Sequence, residues 1–511
     1  MSSWSPGAWA DSRHGAWFSA IAVAIPVGWV LASSQPRVII AIAGAIVLAL
    51  LTLRWPIVAG VAVVASVPVQ QVGAVGPLTA TRALVLLAVA VTVLYALTRG
   101  RPLVVTRLAL PFAALIGWMT VVAGNASNVD LAVDEILRWT IAFIAFLILL
   151  QLLVGATNSE LVASVAAISV VAALQASLGI LQSLFALGPA SFEVAGNLSR
   201  GYGTFGRPNT YAGYLEMALF PTLWLGVHQV QAIRQRLSIY RFDRLRGAVA
   251  SRDNRRLLAG DVLTAAILMG SAGIVAAGIL TSFSRGAWLG VAFGLVVSAG
   301  VAFRKSKFRF LAAAPIVVLI AVVVGGGLAP AVISERVLSV IEDSRPFDAT
   351  SIKITDDNFA AVERMAHWQA GWHMFRDHPI TGVGPGNYNA RYADYFVRSE
   401  FRTSQGHAHN FYIHSLAETG VVGLALYLVL IASALGLSVY VAVVSIGLPR
   451  ALALGGVGTT VAVIVHNVFE NLHVLNLGIQ LGAAWALTIA AHRLLLANRA
   501  AHRRAMECGP L

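Results

Sequence analysis

The chain has a single cysteine, Cys508, close to its C-terminus. An intrachain disulfide is therefore impossible, and so is a zinc site built on clustered cysteines. Charge is scarce as well: 12% of the 511 residues are Asp, Glu, Lys or Arg, where soluble domains carry about 25%. So few charges cannot cover a water-facing surface, but they suit a protein whose outside faces lipid. Acidic residues are the scarcest, 23 against 36 Lys plus Arg, and the formal net charge is +13. In membrane proteins a positive surplus gathers in cytoplasmic loops, so this excess does not by itself indicate nucleic acid, and none is expected as a partner. Dinucleotide and P-loop glycine patterns, heptads and internal repeats are also missing. The first residues, Met1 to His14, lack the compact basic region and cleavage site of a signal peptide. The first apolar run is expected to remain as a membrane anchor.

What fills the chain instead is apolar sequence: 58% of its residues are hydrophobic. A helix crosses the hydrocarbon core with roughly 17–25 such residues. Runs that fit lie at about 15–33, 37–53, 55–71, 81–98, 106–124, 135–154, 159–186, 209–230, 261–281, 286–303, 310–329, 414–446, 451–469 and 474–492. The second and third are short and divided only by Arg54. The reading is an all-α integral membrane protein of about 12–14 transmembrane helices. Arginines then orient it. The connection after the eighth run holds Arg234, Arg236, Arg241, Arg244, Arg246, Arg252, Arg255 and Arg256, and another holds Arg304, Lys305, Lys307 and Arg309. Arg99, Arg101 and Arg107 flank a third, and the tail carries Arg493, Arg499, Arg503 and Arg504. Counting runs puts all four on one side, which the positive-inside rule makes cytoplasmic. Both termini are then expected inside.

The organisation that follows has N-terminal spans over 1–130 and a transmembrane core over 131–330 with a basic cytoplasmic loop at 231–260. A large external loop over 331–412 comes next, then C-terminal spans over 413–492 and a basic tail over 493–511. The large loop has Pro346, Pro379 and Pro385 as breakers and a helix-like stretch from Glu363 to Phe375.

Three sequence islands map to the external face. One runs Leu198-Ser-Arg-Gly-Tyr-Gly-Thr-Phe-Gly-Arg-Pro-Asn209. Another is the tight turn Phe283-Ser-Arg-Gly-Ala-Trp-Leu-Gly290. The third is Gly406-His-Ala-His-Asn-Phe-Tyr-Ile-His-Ser-Leu-Ala-Glu-Thr-Gly-Val-Val-Gly423. Together they resemble the O-antigen ligase and O-antigen polymerase superfamily of bacterial membrane glycosyltransferases. His409 followed by Asn410, then Gly420 and Gly423, has the spacing of that family's signature. The Arg-Pro-Asn segment, the Ser-Arg-Gly turn and the stretch Arg364…Trp368…Pro379…Gly382-Val-Gly384 fit its pattern too. The likeness runs in order over roughly residues 130–490. It implies a GT-C-like helical fold in the bacterial inner membrane and an inverting, metal-independent glycosyl transfer on the periplasmic face. It also implies an undecaprenyl-pyrophosphate glycan as donor, and a saccharide acceptor such as a lipid A core or another repeat unit. By the same resemblance His409 is the general base, and Arg207 and Arg285 hold the pyrophosphate. No cofactor and no metal are implied.

The residue types agree with that chemistry. Guanidinium groups match phosphate oxygens in bidentate geometry and stay charged. Fixed cations ease departure of a pyrophosphate as charge develops on it. A sugar hydroxyl is a poor nucleophile until a base takes its proton, and histidine suits that task. The simpler readings stand beside these. His409 competes with His407 and His414, either of which could orient it or fill space. Arg285 could snorkel at the end of a run, and Arg200 and Arg207 admit the same structural role. Arg138 has Asp134 four residues before it, a spacing that favours a local ion pair. Arg364 lies in a long loop, where charge statistics are silent. Asn209, Asn410 and His407 are supporting candidates, and Gly420 and Gly423 suggest close helix approach. Glu216 is expected to balance an arginine; His466, Asn467, Glu470 and His473 either line an acceptor path or pack. The acceptor separates a ligase from a polymerase or a protein O-glycosyltransferase. A lipid-linked sugar transporter would instead show repeated halves and midplane polar groups.

Overall fold

Away from water, a lipid-exposed backbone can pair all of its own N–H and C=O groups only as a helix or a closed barrel. Long apolar runs without strand-like alternation take the first course. The computed structural model describes residues 44, 47–70, 79–100, 103–195, 198–245, 252–303, 347–355 and 358–507. Its principal helices are α1 (Ile57–Ser66), α2 (Ala80–Arg99), α3 (Ala109–Val122), α4 (Val129–Val154), α5 (Asn158–Leu184), α6 (Pro208–Leu245) and α7 (Arg252–Thr281). They continue with α8 (Arg285–Ala302), α9 (Phe359–Asp377), the short α10 (Tyr388–Arg391), α11 (Phe411–Val444), α12 (Gly447–His466) and α13 (Leu477–Glu507). A small antiparallel ladder pairs β1 (Glu193–Ala195) with β2 (Leu198–Ser199) before α6.

Among the described residues eight helices are long and apolar enough to cross a membrane: α2, α4, α5, α7, α8, α11, α12 and α13. The protein is an all-α integral membrane protein. Shorter apolar helices cover Ile57–Val69 and Ala109–Asn125. The expected runs at 15–33 and 310–329, and most of 37–53, lie outside the described residues. So do Arg101, Arg246, Arg304 to Arg309, residues 331–346 and Cys508. Each remaining run falls on a helix.

At the centre lies α12, packed against α6, α8, α11 and α13. It is buried along most of its length, and small residues such as Gly455, Gly456, Gly458, Thr459 and Thr460 line it. Small side chains let helix backbones approach, which is how helices associate where lipid is as apolar as leucine. Helix starts are fixed locally. Asn128 caps α4 by accepting the Leu131 N–H at 3.2 Å, and Thr157 with Glu160 forms a reciprocal capping box on α5.

The segment from Phe347 to Asn410 sits over one end of this bundle, built around α9 and α10. Two small apolar clusters hold it together, one around Met374, Tyr388 and Tyr392, the other around Val362, Met365 and Phe401. It docks on α11 through backbone bonds: Val383 N–H to Ala417 O at 2.8 Å, Gly384 N–H to Glu418 O at 3.0 Å and Val421 N–H to Pro379 O at 2.9 Å. The Glu418 carboxylate accepts the N–H groups of Gly386 and Tyr388 at 2.8 and 2.9 Å. These bonds need α11 to break, and Gly420 breaks it, with φ 66° and ψ −171°. That region is accessible essentially to glycine alone. The carbonyl of Thr419, released from the helix ladder, takes the Trp118 indole N–H at 2.9 Å. Of the two glycines expected to ease helix approach, Gly423 lies near Trp118 of α3, and a Cβ there would strike the Thr419 side chain of its own helix. Gly420 instead makes a kink against a loop, because a Cβ there would overlap the Ile380 carbonyl.

Gly420→Ala is therefore expected to cost at least the 1–3 kcal/mol of that backbone conformation, with the overlap added. Thermal unfolding of the detergent-solubilised protein measures it; an unchanged midpoint would refute the kink's role.

Candidate functional site

Four segments distant in sequence meet at the end of the bundle beneath this cap: 198–209, the 282–286 turn, 364–409 and the 466–476 turn between α12 and α13. Backbone and side-chain bonds tie them. Arg200 Nε donates to Ser282 O at 3.0 Å, Phe411 N–H reaches Asn467 O at 2.8 Å, and Trp368 Nε1 donates to His409 O at 3.3 Å.

The His-Asn pair has a local reason. Asn410 is the N-cap of α11, its side-chain oxygen accepting the Tyr412 and Ile413 N–H groups at 2.9 and 3.1 Å. His409, one residue before, is left-handed at φ 52°, a conformation uncommon for a non-glycine residue and costly unless its surroundings enforce it. His409 N–H donates to His407 Nδ1 at 3.1 Å. That bond makes Nδ1 of His407 the acceptor, so its proton sits on Nε2 and points to Glu470 Oε1 at 3.1 Å. Glu470 also accepts the Asn471 N–H at 3.1 Å and the Asn209 amide. The Asn209 oxygen in turn accepts Arg200 Nη2 at 2.7 Å. One carboxylate thus gathers His407, Asn209 and, through Asn209, Arg200.

Neither ring nitrogen of His409 has a hydrogen-bond partner among the described residues; its Nδ1 stands 3.9 Å from Glu470 Oε1. Its side chain keeps 21% exposure against 7% for Glu470, so it is the member of the group that a substrate can reach. Burial pushes the His409 imidazole down to about 3, with His407 and Arg364 adding to the effect. Burial also opposes the Glu470 charge, but His407 and His409 and the bonds from Asn471 and Asn209 outweigh it, holding the carboxyl at about 2. The resting pair is an ionised carboxylate beside a neutral imidazole.

Beside this group lies a cavity of about 260 Å³ lined by Arg200, Asn209, Arg285 and Arg364, with Ser284, Gly286, His466 and Phe469 in its wall. Three expected arginines are therefore together. Behind Ser284 runs a buried chain: Ser284 Oγ to His466 Nε2 at 3.3 Å, and His466 Nδ1 to Glu216 Oε1 at 3.1 Å. The partner of Glu216 is thus a histidine, where an arginine was expected. Gly286 makes room for this, since a Cβ there would strike the His466 ring.

The other two expected arginines are elsewhere. Arg207 and Arg138 line a second cavity of about 600 Å³, together with Arg82. Arg138 pairs with Glu135 at 2.6 Å, three residues away, and not with Asp134. Arg82 drew no attention in the sequence, although an arginine at the external end of an apolar run was the signal to follow.

Residues 270–428 match the family model described as O-antigen ligase. This stretch is similar to the O-antigen ligase family. The match takes in Arg285, Arg364, His407, His409, Asn410, Gly420 and Gly423, while Arg138, Arg200, Arg207, Asn209 and Glu470 come from outside it. The family is one of glycosyltransferase-type ligases and polymerases. No curated protein matches the chain. Built partly from this stretch and partly from residues outside it, the site combines a reachable neutral imidazole, an ionised carboxylate behind it and a cationic cavity alongside, which suits proton removal beside a bound anion. His407, His409 and Glu470 also offer ligand atoms within 4.8 Å of one another, a spacing that would accommodate a metal ion. Hydrogen bonds from Asn209 and Asn471 already occupy the Glu470 oxygens.

Asn410→Ala should lower stability by about 1 kcal/mol through the lost cap, and Asn410→Ser should recover most of it. Unfolding midpoints of the two variants decide this. Equal midpoints would mean that the cap is not what holds His409 in place.

Proposed function

We propose that the protein transfers a glycan from a polyprenyl pyrophosphate, the undecaprenyl carrier in bacteria, to an acceptor hydroxyl. The reaction takes place at the external face of the inner membrane, with both termini inside. The observation that carries this reading is the union of His409, its Glu470 partner and the Arg200–Arg285–Arg364 cavity at one end of a membrane bundle. A lipid-linked donor lays its tail in the bilayer and its charged head at the interface, so a cationic cavity at the end of a bundle of spans suits that head.

In the proposed step the three guanidiniums hold the donor pyrophosphate. The acceptor hydroxyl gives its proton to the neutral His409 imidazole as its oxygen forms a bond to the anomeric carbon. The bond from that carbon to the phosphate oxygen breaks, and the electron pair leaves with the polyprenyl pyrophosphate. Attack opposite the leaving group inverts the anomeric centre. Glu470 acts through charge: a carboxylate 3.9 Å from Nδ1 stabilises the imidazolium as it forms. No metal is needed to neutralise the pyrophosphate where arginines already do so.

His409→Ala is expected to lose about 10²–10⁴-fold in turnover while a polyprenyl-pyrophosphate glycan still binds. Arg285→Ala is expected to lose donor affinity. Turnover measured with core saccharide, repeat unit and peptide as separate acceptors tests both, and full activity of the first variant would remove the base. Chelation of divalent cations should leave the rate unchanged; a loss restored by magnesium or zinc would move His407, His409 and Glu470 into a metal site.

Because burial holds His409 at about 3, the unprotonated form dominates from pH 5 to 8. Activity that needs this form is lost only as pH falls through the folded value. The pH profile of kcat/KM, which reports the free enzyme, should show no acid limb near 6.5. A limb at that position would contradict the buried, neutral imidazole.

A further inference from the structure

Helix α11 is too long for a bilayer. Its 34 residues, at about 1.5 Å each, measure about 51 Å, against about 30 Å of hydrocarbon. Its first turns therefore stand outside, and three features mark where the apolar slab begins. The Gly420 kink divides α11, and the part from Val421 to Val444 measures about 36 Å. Helix α3 ends beside the kink, its Trp118 bonded to Thr419 O. Helix α4 starts at the same level: the Asn128 N–H donates at 2.8 Å to the side chain of Asn387, whose neighbours Gly386 and Tyr388 bond Glu418. Beyond the kink Val421, Ala425, Leu428 and Ala432 are exposed at steps of three and four residues. That spacing makes one face of a helix, and on a spanning helix an exposed apolar face is turned to lipid.

This face does not stop at the kink. Pro379 O accepts the Val421 N–H at 2.9 Å, and the next residue, Ile380, is 61% exposed. At the end of α9 Trp372 is 46% exposed, and its ring lies 5.2 Å from that of half-buried Phe375. Exposed His373 and Arg376 flank the pair. Asp377, the acid of this turn, hydrogen-bonds Tyr395. An indole, a phenyl and an isoleucine edged by cations, at the level where a lipid-facing stripe begins, fit a bilayer interface. Amphipathic rings settle at the depth of the headgroups, and basic side chains beside them meet lipid phosphates.

We propose that the end of α9 and the turn after it are seated in the leaflet on the cap side, with Trp372, Phe375 and Ile380 at the boundary between headgroups and acyl chains. The occupant of this surface is lipid. The anchor has a consequence for the site. Arg364 and Trp368 share a side of α9 with Trp372 at steps of four residues, and Arg364 stands about 12 Å from Trp372 along the helix. Arg364 lines the Arg285 cavity, and Trp368 donates to His409 O. Fixing one end of α9 in the interface sets the height above the bilayer of the groups on its other half, whatever reaction the site performs.

The test uses the full chain in nanodiscs of phosphatidylethanolamine and phosphatidylglycerol. Cys508→Ser removes the single native thiol. In that background Trp372→Cys and Ile380→Cys each receive a nitrobenzoxadiazole fluorophore, whose emission moves to the blue away from water. Val421→Cys supplies the lipid-facing reference, and Ser351→Cys, exposed on the cap, the aqueous one. At 372 and at 380 the emission should lie to the blue of the 351 label. It should be quenched by lipids carrying a nitroxide near the headgroup, and less by lipids carrying it at the chain end. The 351 label should respond to neither. Adding Trp372→Asp to Ile380→Cys should weaken the quenching at 380. Emission and quenching like those of the 351 label, at either position, would overturn the proposal. A blue shift without quenching by lipid would overturn it as well, since protein, from the cap or from a second copy, would then cover the patch.

Discussion

The site hangs on one buried carboxylate. A charge taken from water into a protein costs several kcal/mol unless partners replace its hydration, and Glu470 finds them in four places. His407, Asn209 and the Asn471 backbone donate to it directly, and His409 faces it. Those donors come from the first turn of α6, the turn before α11 and the turn after α12. Satisfying one carboxylate therefore draws together segments more than two hundred residues apart and sets the distance between base and arginines.

The same network fixes protonation states. A backbone N–H on His407 Nδ1 leaves only one tautomer for its bond to Glu470. That bond occupies His407 and leaves His409 as the histidine with a lone pair to offer. A base held as low as His409 is a weak acceptor in the free protein, and Brønsted behaviour favours a base nearer working pH. In the proposed reaction an arriving pyrophosphate would bring negative charge, favour the protonated imidazole and so strengthen the base only when donor is present. Donor binding and proton removal would then be coupled through charge.

Much of this was legible in the chain, for identifiable reasons. Apolar runs of membrane length have one backbone solution, so the helices follow from the sequence. Asn410 stands out in the sequence only as the neighbour of His409; its role as the cap of α11 emerges from the fold. The Ser-Arg-Gly turn and Arg364 could be read as cationic, and they converge with Arg200. What could not be read was partnership across the fold. Glu470 was one of several polar residues beyond α12, and only the folded chain selects it. Asp134 and Glu135 offer Arg138 nearly the same helical spacing, and rotamer and packing choose Glu135. Gly420 has the spacing of a small-residue helix contact but serves a break, because its partner is a loop carbonyl and not a helix.

The division of the arginines was hidden for a deeper reason. A sequence counts guanidiniums on a face of the membrane but gives no distances between them, so Arg207 and Arg285 read as one cluster. Proline at position 208 starts α6 between Arg207 and Asn209, and successive residues around such a start diverge in direction. Dividing the arginines between two cavities also eases an electrostatic difficulty, since guanidiniums pooled in one place would repel one another before any substrate arrived. Glu470 reaches one of them, Arg200, only through Asn209, which accepts from the guanidinium and donates to the carboxylate.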